Sequence, residues 1–322
     1  MQRKHTQIMN PIRTIYFDRP SPGFLCKSAV AMGNFDGIHR GHKTIIQTLI
    51  DRAQQMHLPP VILTFDPHPR IVFGQDFKIL TTVYEREILL RRLGVEMIVH
   101  IRFTRQFAEI DHEEFVRDYL VRSLGAKLVV VGYDHHFGRG RAGNPETLMQ
   151  LGKKYDFETV VVPPVKHRGQ EVRSSLIRQL VGTGEIETAN DFLGHPYLVA
   201  GKVIAGRGLG KQIGYPTANL EIPPFKLLPP DGVYAARTRI MPEVSLRDSM
   251  VYIGRAPTFN LPHRMFEVHI MDYEGGSLYN RFLAVYLIKF VRGDRAFRSA
   301  EELRRQIDHD AEITRQILSQ AE

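Results

Sequence analysis

A glycine-rich stretch near the start of the chain carries the residues best suited to chemistry, and it reads Gly33-Asn34-Phe35-Asp36-Gly37-Ile38-His39-Arg40-Gly41-His42. Glycine lets the backbone turn tightly and approach a ligand closely. His39 and His42 are spaced to point the same way at the start of a helix. Two imidazoles beside the N–H groups that a helix start leaves without helical partners suit a polyphosphate, because they stabilise the charge that builds on a departing phosphate.

The flanking segments place this stretch between a strand and a helix. Residues 29–32 are apolar and typical of a buried strand end, whereas residues 43–55 have the apolar spacing of a helix. Two other interpretations stay open, since such a turn can be purely architectural and a helical histidine pair can bind zinc. The single cysteine, Cys26, and the absence of a His-Glu-x-x-His spacing disfavour zinc.

Two further strands in the first half end in loops with aromatic or polar residues. Residues 60–66 run through Phe65 and Asp66 into a proline-broken loop, and residues 127–132 run into Tyr133-Asp134-His135-His136-Phe137. Strands that alternate with helices indicate a parallel sheet, whose ligands bind outside the carboxyl ends of the strands. We therefore expect these loops and the Gly33 turn to lie along the same edge of the sheet, at the carboxyl ends of the strands. Asp134 alone fits a ligand contact or an Asx turn.

A pair of hydroxyls precedes a later helix in the same half. Ser174 and Ser175 stand ahead of it, and Arg178 lies one turn into it. Hydroxyls in this position cap a helix and also bind phosphate, so either role is open.

The second half has a different pattern, which begins after Gly194. Short alternating segments separated by Gly and Pro predict strands at 197–205, 232–240, 249–253, 265–273 and 282–291, with an amphipathic helix at 300–320. This spacing favours a small antiparallel barrel closed by the helix. We expect a disordered extension over residues 1–14, a first domain over 15–194 and a second over 195–322.

The barrel region also carries candidate phosphate ligands. Gly206, Gly210, Lys211 and Gly214 form a basic glycine-rich segment, followed by the motif Pro216-Thr217-Ala218-Asn219. Oxygen atoms of Thr217 and Asn219 suit a magnesium shell, although this motif alone fits a simple turn. Glu267 shares a strand face with His269, where it is either solvent-exposed or accepts a proton from a hydroxyl nucleophile.

Composition limits the classes of function. The chain has 322 residues, a net charge of +8 and 43% hydrophobic residues. Length indicates two domains, and the single cysteine fits a reducing compartment, so we expect a cytoplasmic protein. The sequence has no apolar run that would span a membrane. The net charge suits nucleic acid, an acidic surface or phosphorylated small molecules, and the scatter of basic residues among acidic ones disfavours nucleic acid. A homo-oligomer is left open.

Four motifs of the first half, in this order, resemble the FMN adenylyltransferase module of bacterial bifunctional riboflavin kinase/FAD synthetases: Gly33 to His42, Thr64 to Pro69, Gly132 to Gly138, and Ser174 to Arg178. The resemblance implies a Rossmann-like HxGH nucleotidyltransferase fold. It also implies an activity that transfers AMP from ATP to FMN. By it, His39 and His42 hold the triphosphate and the departing pyrophosphate. It assigns the nucleotide and phosphate contacts to Gly33, Asn34, Phe35, Asp36, Gly37, Asp134, Ser174, Ser175 and Arg178, and the flavin contacts to Phe65, Asp66, Tyr133 and Phe137.

The second half resembles the riboflavin kinase module of the same enzymes. The similar segments are Gly206 to Leu220, Gly232 to Tyr234, Ile253 to Phe259, Glu267 to His269, and Arg292 to Phe297. The resemblance implies that Thr217 and Asn219 bind Mg-ATP, together with Gly206, Gly210, Lys211 and Gly214. It implies that Glu267 is the base that activates the ribityl hydroxyl, and that Arg292 and Phe297 lie on the flavin side.

A few positions depart from the family pattern. Arg173 stands where a serine is usual, His135 where phenylalanine is usual, Lys211 where arginine is commoner, and Asn280 where glycine is usual. We therefore expect an enzyme that makes FMN and then FAD, with magnesium and ATP. Two alternatives are a riboflavin kinase whose adenylyltransferase site is impaired and a flavin- or nucleotide-binding regulator.

Overall fold

The computed structural model describes residues 13–206, 210, 214–255 and 264–321. Its contacts divide the chain into two compact units. The first takes the residues up to Phe77 and Arg86–Val172, and the second takes Lys78–Glu85 and the chain from Arg173 onward. These units begin and end at other residues than the expected domains, and the boundary near Gly194 stays a prediction.

The first unit contains a parallel sheet. Its strands are β1 (Arg13–Phe17), β2 (Ser28–Met32), β3 (Pro60–Asp66), β4 (Met97–Arg102), β5 (Ala126–Gly132) and β6 (Glu158–Val162). They lie in the order β1-β4-β3-β2-β5-β6, and all neighbours pair in parallel. Because β1 begins at Arg13, two residues of the expected 1–14 extension belong to the sheet, whereas residues 1–12 lie outside the described residues.

Helices connect these strands, as the alternating pattern predicts. They are α1 (Arg40–Gln55), α2 (Pro69–Val72), α3 (Val83–Arg92), α4 (Arg105–Ala108), α5 (His112–Phe115), which continues as a π-helix (Val116–Ser123), and α6 (Pro145–Tyr155). The buried residues of α1 are Ile46, Leu49 and Ala53, which share one helical face. Every residue of β2 is buried, as in a strand at the centre of a parallel sheet. The unit ends in a short hairpin of β7 (Lys166–His167) and β8 (Gln170–Glu171).

The second unit is built around a closed antiparallel barrel. Its elements are α7 (Ser174–Thr183), α8 (Ile186–Leu193), β9 (Tyr197–Ile204), β10 (Ala218–Glu221), β11 (Gly232–Ile240), β12 (Arg247–Gly254), β13 (Met265–Ile270), β14 (Phe282–Gly293) and α9 (Ala300–Gln320). The barrel order is β10-β13-β12-β11-β14-β9. The sequence reading missed β10, because a four-residue strand is too short to show a period.

A segment from the first half of the sequence belongs to this second unit. The Lys226 ammonium donates to Glu85 Oε2 at 2.8 Å and to the carbonyl oxygens of Leu80 and Leu198, and both charged side chains are fully buried. Glu85 Oε1 accepts from the Ala200 N–H at 2.8 Å. The strap Lys78–Glu85 is thus tied to β9 through a buried ion pair whose hydrogen bonds are satisfied. Within the described ranges, no helix combines the length and apolar character needed to cross a membrane.

Candidate active sites

The Gly33 turn lies where the order of the parallel sheet reverses. β2 has β3 on one side and β5 on the other, because the chain adds β3 and β4 on one side of β2 and then crosses back from β4 to place β5 on the other. A crevice forms outside the strand ends at such a point, and it is the usual ligand site of an open parallel sheet. The turns that follow β2 and β5 both border this crevice.

His39 and His42 lie together at the start of α1. Their rings stack with centroids 3.7 Å apart and planes 14° apart. His39 is the N-cap residue, and its Nδ1 accepts from the His42 N–H at 3.3 Å. In neutral His39 this hydrogen bond assigns the proton to Nε2, which makes Nε2 the donor toward a ligand. The stacking confirms the expectation that the two rings share one side.

A glycine and two residues with positive φ angles allow the two histidine rings to lie together. A Cβ added at Gly41 would stand 3.2 Å from the His39 ring, so a side chain there would press on the imidazole. Phe35 and Ile38 are buried and adopt positive φ angles of 48° and 44°. The Phe35 ring meets the His42 ring edge-on, with centroids 5.4 Å apart. Phe35 therefore supports His42 from the core side.

A buried arginine that the sequence reading passed over lies behind this turn. Arg86 on α3 donates from Nη1 to the Asn34 carbonyl at 2.7 Å, and from Nη2 to the Phe65 carbonyl at 3.4 Å. Burial lowers the pKa of its guanidinium, and the charges of Asp36 and then Asp66 act in the opposite direction. Asp36 is itself 3% exposed. No local signal separates Arg86 from the other arginines of this mixed-charge helix.

Aromatic rings line the end of β3. Phe65 is half-buried and meets Phe103 and Phe107 with ring centroids 5.8 and 5.9 Å away. Asp66, the last residue of β3, is also half-buried. Phe65 and Asp66 therefore lie at the carboxyl end of β3, the edge of the sheet where we expected the flavin.

The loop after β5 is closed by its own backbone. Phe137 and Gly143 exchange N–H···O hydrogen bonds of 3.0 and 2.9 Å. Phe137 is 6% exposed and belongs to the core, whereas Tyr133 is half-buried and Asp134 exposed. The flavin contact expected of Phe137 thus concerns a core side chain and stays a prediction.

His135 keeps an aromatic contact in this loop. Its ring stacks on Phe137 with centroids 6.0 Å apart. Burial, with smaller contributions from the nearby His136 and Arg141, lowers the pKa of His135 to about 4. The imidazole is therefore neutral at physiological pH and packs much as a phenylalanine would.

The two serines lie differently from their expected place. Ser174 and Ser175 are the first residues of α7, and the N-cap is Arg173, whose side chain makes no capping hydrogen bond. Arg178 donates from Nε to the Lys78 carbonyl at 3.1 Å. All three expected phosphate ligands belong to the second unit, so the structure does not bring them into one unit with His39 and His42.

The second site is assembled by strand pairing. Asn219 of β10 lies directly opposite Glu267 of β13. The Thr217 hydroxyl donates to Glu267 Oε2 at 3.3 Å, across 50 residues of sequence. Glu267 is half-buried between fully buried neighbours in β13. Desolvation raises the pKa of its carboxyl group, and the Thr217 hydrogen bond lowers it by a smaller amount. A carboxylate of raised pKa accepts a proton more readily.

Glycines let the preceding segment lie against Asn219 and Thr217. A Cβ at Gly206 would stand 2.0 Å from Asn219 Nδ2, and one at Gly210 would stand 3.2 Å from Thr217 Oγ1. Gly214 has a φ of 90°, which favours glycine. Lys211 and the motif residues 256–259 lie outside the described residues.

The donor set suits magnesium better than a transition metal. Thr217 and Asn219 offer neutral oxygen atoms, and a magnesium ion bound with ATP takes most of its other ligands from phosphate and water. In the part of the chain that the structure describes, no three His, Cys, Asp or Glu residues form a metal cluster. His39 and His42 accordingly have no third ligand of these types for zinc there.

Two further contacts hold the Thr217 segment. The His269 ring bonds through Nδ1 to the Pro216 carbonyl at 2.9 Å. The Tyr215 hydroxyl donates to Asp308 of α9, and burial followed by that bond raises the pKa of Tyr215 to about 12. Sequence reasoning placed His269 on the right face and gave no sign of either partner.

Arg292, one of the two residues expected on the flavin side, contacts the last helix. Arg292 donates from Nε to both carboxylate oxygens of Asp310 at 3.0 and 2.9 Å, and Asp310 is 1% exposed. The Arg292 guanidinium also lies 5.7 Å from the centroid of the Phe297 ring. The Arg292–Asp310 ion pair attaches α9 to the end of β14, and a flavin contact for Arg292 and Phe297 stays a prediction.

Family models match nearly the whole chain. One described as FAD synthetase matches residues 22–176, and one described as riboflavin kinase matches residues 193–318.

Full-length relatives carry both names. The bifunctional riboflavin kinase/FMN adenylyltransferase of Escherichia coli K12 is 33% identical over 311 residues, which cover 96% of this chain and 98% of that protein. The Listeria monocytogenes protein of the same description is 33% identical over 320 residues, covering 97% and 100%. A crystal structure from Streptococcus pneumoniae, described as a macrolide-efflux protein, has a TM-score of 0.80 at 32% identity and covers 94% of this chain and 99% of that one.

Proposed function

The chain belongs to the family of bifunctional riboflavin kinase/FMN adenylyltransferases, and we propose that each of its two units carries out one of the two reactions. The enzyme phosphorylates riboflavin with ATP to give FMN and ADP. It then transfers AMP from a second ATP to FMN, which gives FAD and pyrophosphate. Both reactions displace an oxygen at phosphorus, so positioning and charge stabilisation supply most of the catalysis.

In the first unit, the histidine pair acts on the leaving group. The FMN phosphate attacks the α-phosphorus of ATP in line, the bond from that phosphorus to the bridging oxygen breaks, and pyrophosphate leaves with the electron pair. Nε2–H of His39 and the ring of His42 donate to phosphate oxygens on which charge builds. The N–H groups at the start of α1 and the basic residues Arg40 and Lys43 add to the positive field.

In the second unit, Glu267 acts as the general base. It takes the proton of the ribityl hydroxyl as that oxygen attacks the γ-phosphorus, and ADP leaves. Thr217 and Asn219 would hold magnesium together with the ATP phosphates, and the ion would neutralise charge on the transferred group. Gly206 and Gly210 let the backbone of the proposed phosphate-binding loop lie against Asn219 and Thr217, and Lys211 and Gly214 complete that loop.

The observation that carries the proposal is the stacked His39–His42 pair at the N-cap of α1. It supports an intact adenylyltransferase site despite Arg173 and His135. The neutral His135 keeps its aromatic packing, so it favours full activity over the impaired-site alternative. The phosphate-binding roles of Ser174, Ser175 and Arg178 remain predictions, as do the cytoplasmic location and the absence of nucleic-acid and membrane partners.

A time course of products tests the proposal. The purified chain is incubated with riboflavin, ATP and magnesium, and FMN and FAD are separated by chromatography; a parallel reaction starts from FMN, and a third contains EDTA. We expect FMN first, FAD after it, and neither product with EDTA. Accumulation of FMN alone would favour a kinase with an impaired second site, and the absence of both products would favour a binding regulator.

A further inference from the structure

Arg86 is a buried charged residue that bridges two neighbouring strand ends of the first unit. It donates hydrogen bonds to the turn after β2 and to the end of β3. It is 5% exposed, which is unusual for arginine. Its two terminal nitrogens reach the carbonyls of Asn34, after β2, and Phe65, at the end of β3. One rigid guanidinium therefore fixes the spacing between the histidine-bearing turn and the loop at which the flavin was expected.

The Asn34 carbonyl is held from two directions. It accepts from Arg86 Nη1 at 2.7 Å and from the Thr64 hydroxyl at 3.3 Å. The next residue, Phe35, has a φ of 48°, a conformation that side-chain-bearing residues rarely adopt. Such backbone persists where surrounding contacts enforce it. Arg86 thus holds the turn at the residue just before its strained part.

The charge of Arg86 also matters for an anionic ligand. Asp36 is buried within the turn that would face a polyphosphate, and an uncompensated carboxylate there would repel it. The charges of Asp36 and Asp66 raise the pKa of the Arg86 guanidinium, against the larger lowering by desolvation. A guanidinium beside them reduces the negative potential of the turn.

We propose that Arg86 is a positioning residue for adenylyl transfer, which fixes the turn that carries His39 and His42 and offsets the charge of Asp36 toward the triphosphate. The inference rests on the proposed function, because it assigns Arg86 a part in the FAD-forming step alone. Arg86 acts through the backbone of Asn34 and Phe65 and touches no reacting atom.

The bifunctional chain provides an internal standard for the test. Arg86→Gln removes the charge and keeps an amide donor, Arg86→Lys keeps the charge and loses the fork, and Arg92→Gln is a control at an exposed position of the same helix. Rates of FMN and FAD formation are measured separately on each full-length variant, with KM for ATP and for FMN. Circular dichroism and thermal unfolding check the fold.

We expect kcat/KM for FAD formation to fall by about 100-fold in Arg86→Gln, as for a misplacement of about 1 Å. The loss should be about 10-fold in Arg86→Lys, because the charge remains, and KM for ATP should rise more than KM for FMN. FMN formation and the Arg92→Gln variant should stay within about two-fold of wild type.

Other outcomes would overturn the inference. Unchanged FAD formation in both Arg86 variants would contradict it, as would a parallel loss of both activities in variants whose thermal unfolding is unchanged. If Arg86→Gln does not fold, Arg86→Lys decides, because equal kcat/KM values for FAD formation in this variant and wild type would exclude the positioning role. A wild-type chain that forms no FAD would instead contradict the proposed function.

Discussion

The two sites are assembled in opposite ways. The first places its histidines three residues apart on one strand–turn–helix, and the N-cap bond is itself local. The second brings Thr217 to Glu267 across 50 residues, through the pairing of β10 with β13. A local site depends on the conformation of one turn, whereas a cross-strand site depends on the register of a whole barrel, because a slip of one residue moves every side chain to the other face.

The buried charged residues of the two units also differ in the groups that they bind. In the second unit, Lys226 and Glu85 form a closed ion pair that ties a distant strap to the barrel. In the first unit, Arg86 binds two backbone carbonyls and leaves its charge to act on nearby carboxylates. A closed pair supports folding, whereas a guanidinium on two loop carbonyls bears on the geometry of the site.

The largest expected effect tests how far the second unit depends on long-range contacts. Lys226→Met leaves Glu85 buried without its counter-charge and should lower the free energy of unfolding by about 3–5 kcal/mol. The control is Lys289→Met, which removes an exposed pair with Glu187 and should change it by less than about 1 kcal/mol. Urea unfolding followed by circular dichroism measures both, and equal effects would show that the buried pair has no special role.

The second prediction separates catalysis from stability at the cross-strand site. Glu267→Gln should lower FMN formation by about 1000-fold and leave FAD formation from FMN unchanged. Burial raises the pKa of the folded Glu267 carboxyl, so its ionisation disfavours folding once pH rises past the unfolded value. The variant should therefore melt about 2 °C higher at neutral pH. A lower melting temperature would contradict the destabilising effect that we expect from the ionised Glu267 carboxyl group.

The same raised pKa predicts the acid limb of FMN formation. As pH falls, Glu267 gains its proton sooner than an ordinary glutamate, whose pKa is about 4.3, so the activity should decline at a higher pH. A pH profile of kcat/KM for riboflavin measures this limb. A decline centred at or below the ordinary value would argue against Glu267 as the base.

The third variant addresses the local site. His42→Ala removes one donor to the leaving phosphate and should lower FAD formation by about 100-fold while FMN formation stays unchanged. Both rates are measured in one preparation, so folding is controlled by the kinase activity. Equal loss of both activities would show that the two sites are not independent.

A smaller effect tests the fit around the histidines. Gly41→Ala places a methyl group 3.2 Å from the His39 ring and should lower FAD formation by about 10-fold. Gly182→Ala, at a position of α7 with nothing within 4 Å, is the matched control and should raise stability slightly without changing either rate. Full FAD formation in Gly41→Ala would show that the His39 ring moves freely.

The sequence itself determined both sites in outline, because each motif is short and carries its residue types in order. The strand–turn–helix of His39 and His42 and the alternation around Glu267 depend on local periodicity, and the structure agrees with both. Asp111 is likewise the N-cap of α5, where its side chain accepts from the Glu113 N–H, two residues along the chain. Local hydrogen bonding and the pattern of burial are encoded in neighbouring residues.

Only the tertiary structure decided the partners of the charged residues. Glu85 and Arg86 are adjacent in a helix of mixed charge, yet both are buried. Glu85 pairs with Lys226, and Arg86 donates to the carbonyls of Asn34, in the turn after β2, and Phe65, near the end of β3. Arg292 similarly turned out to be bound to Asp310. A charged side chain is buried only where a distant group compensates it, and sequence spacing carries no information about which group that is.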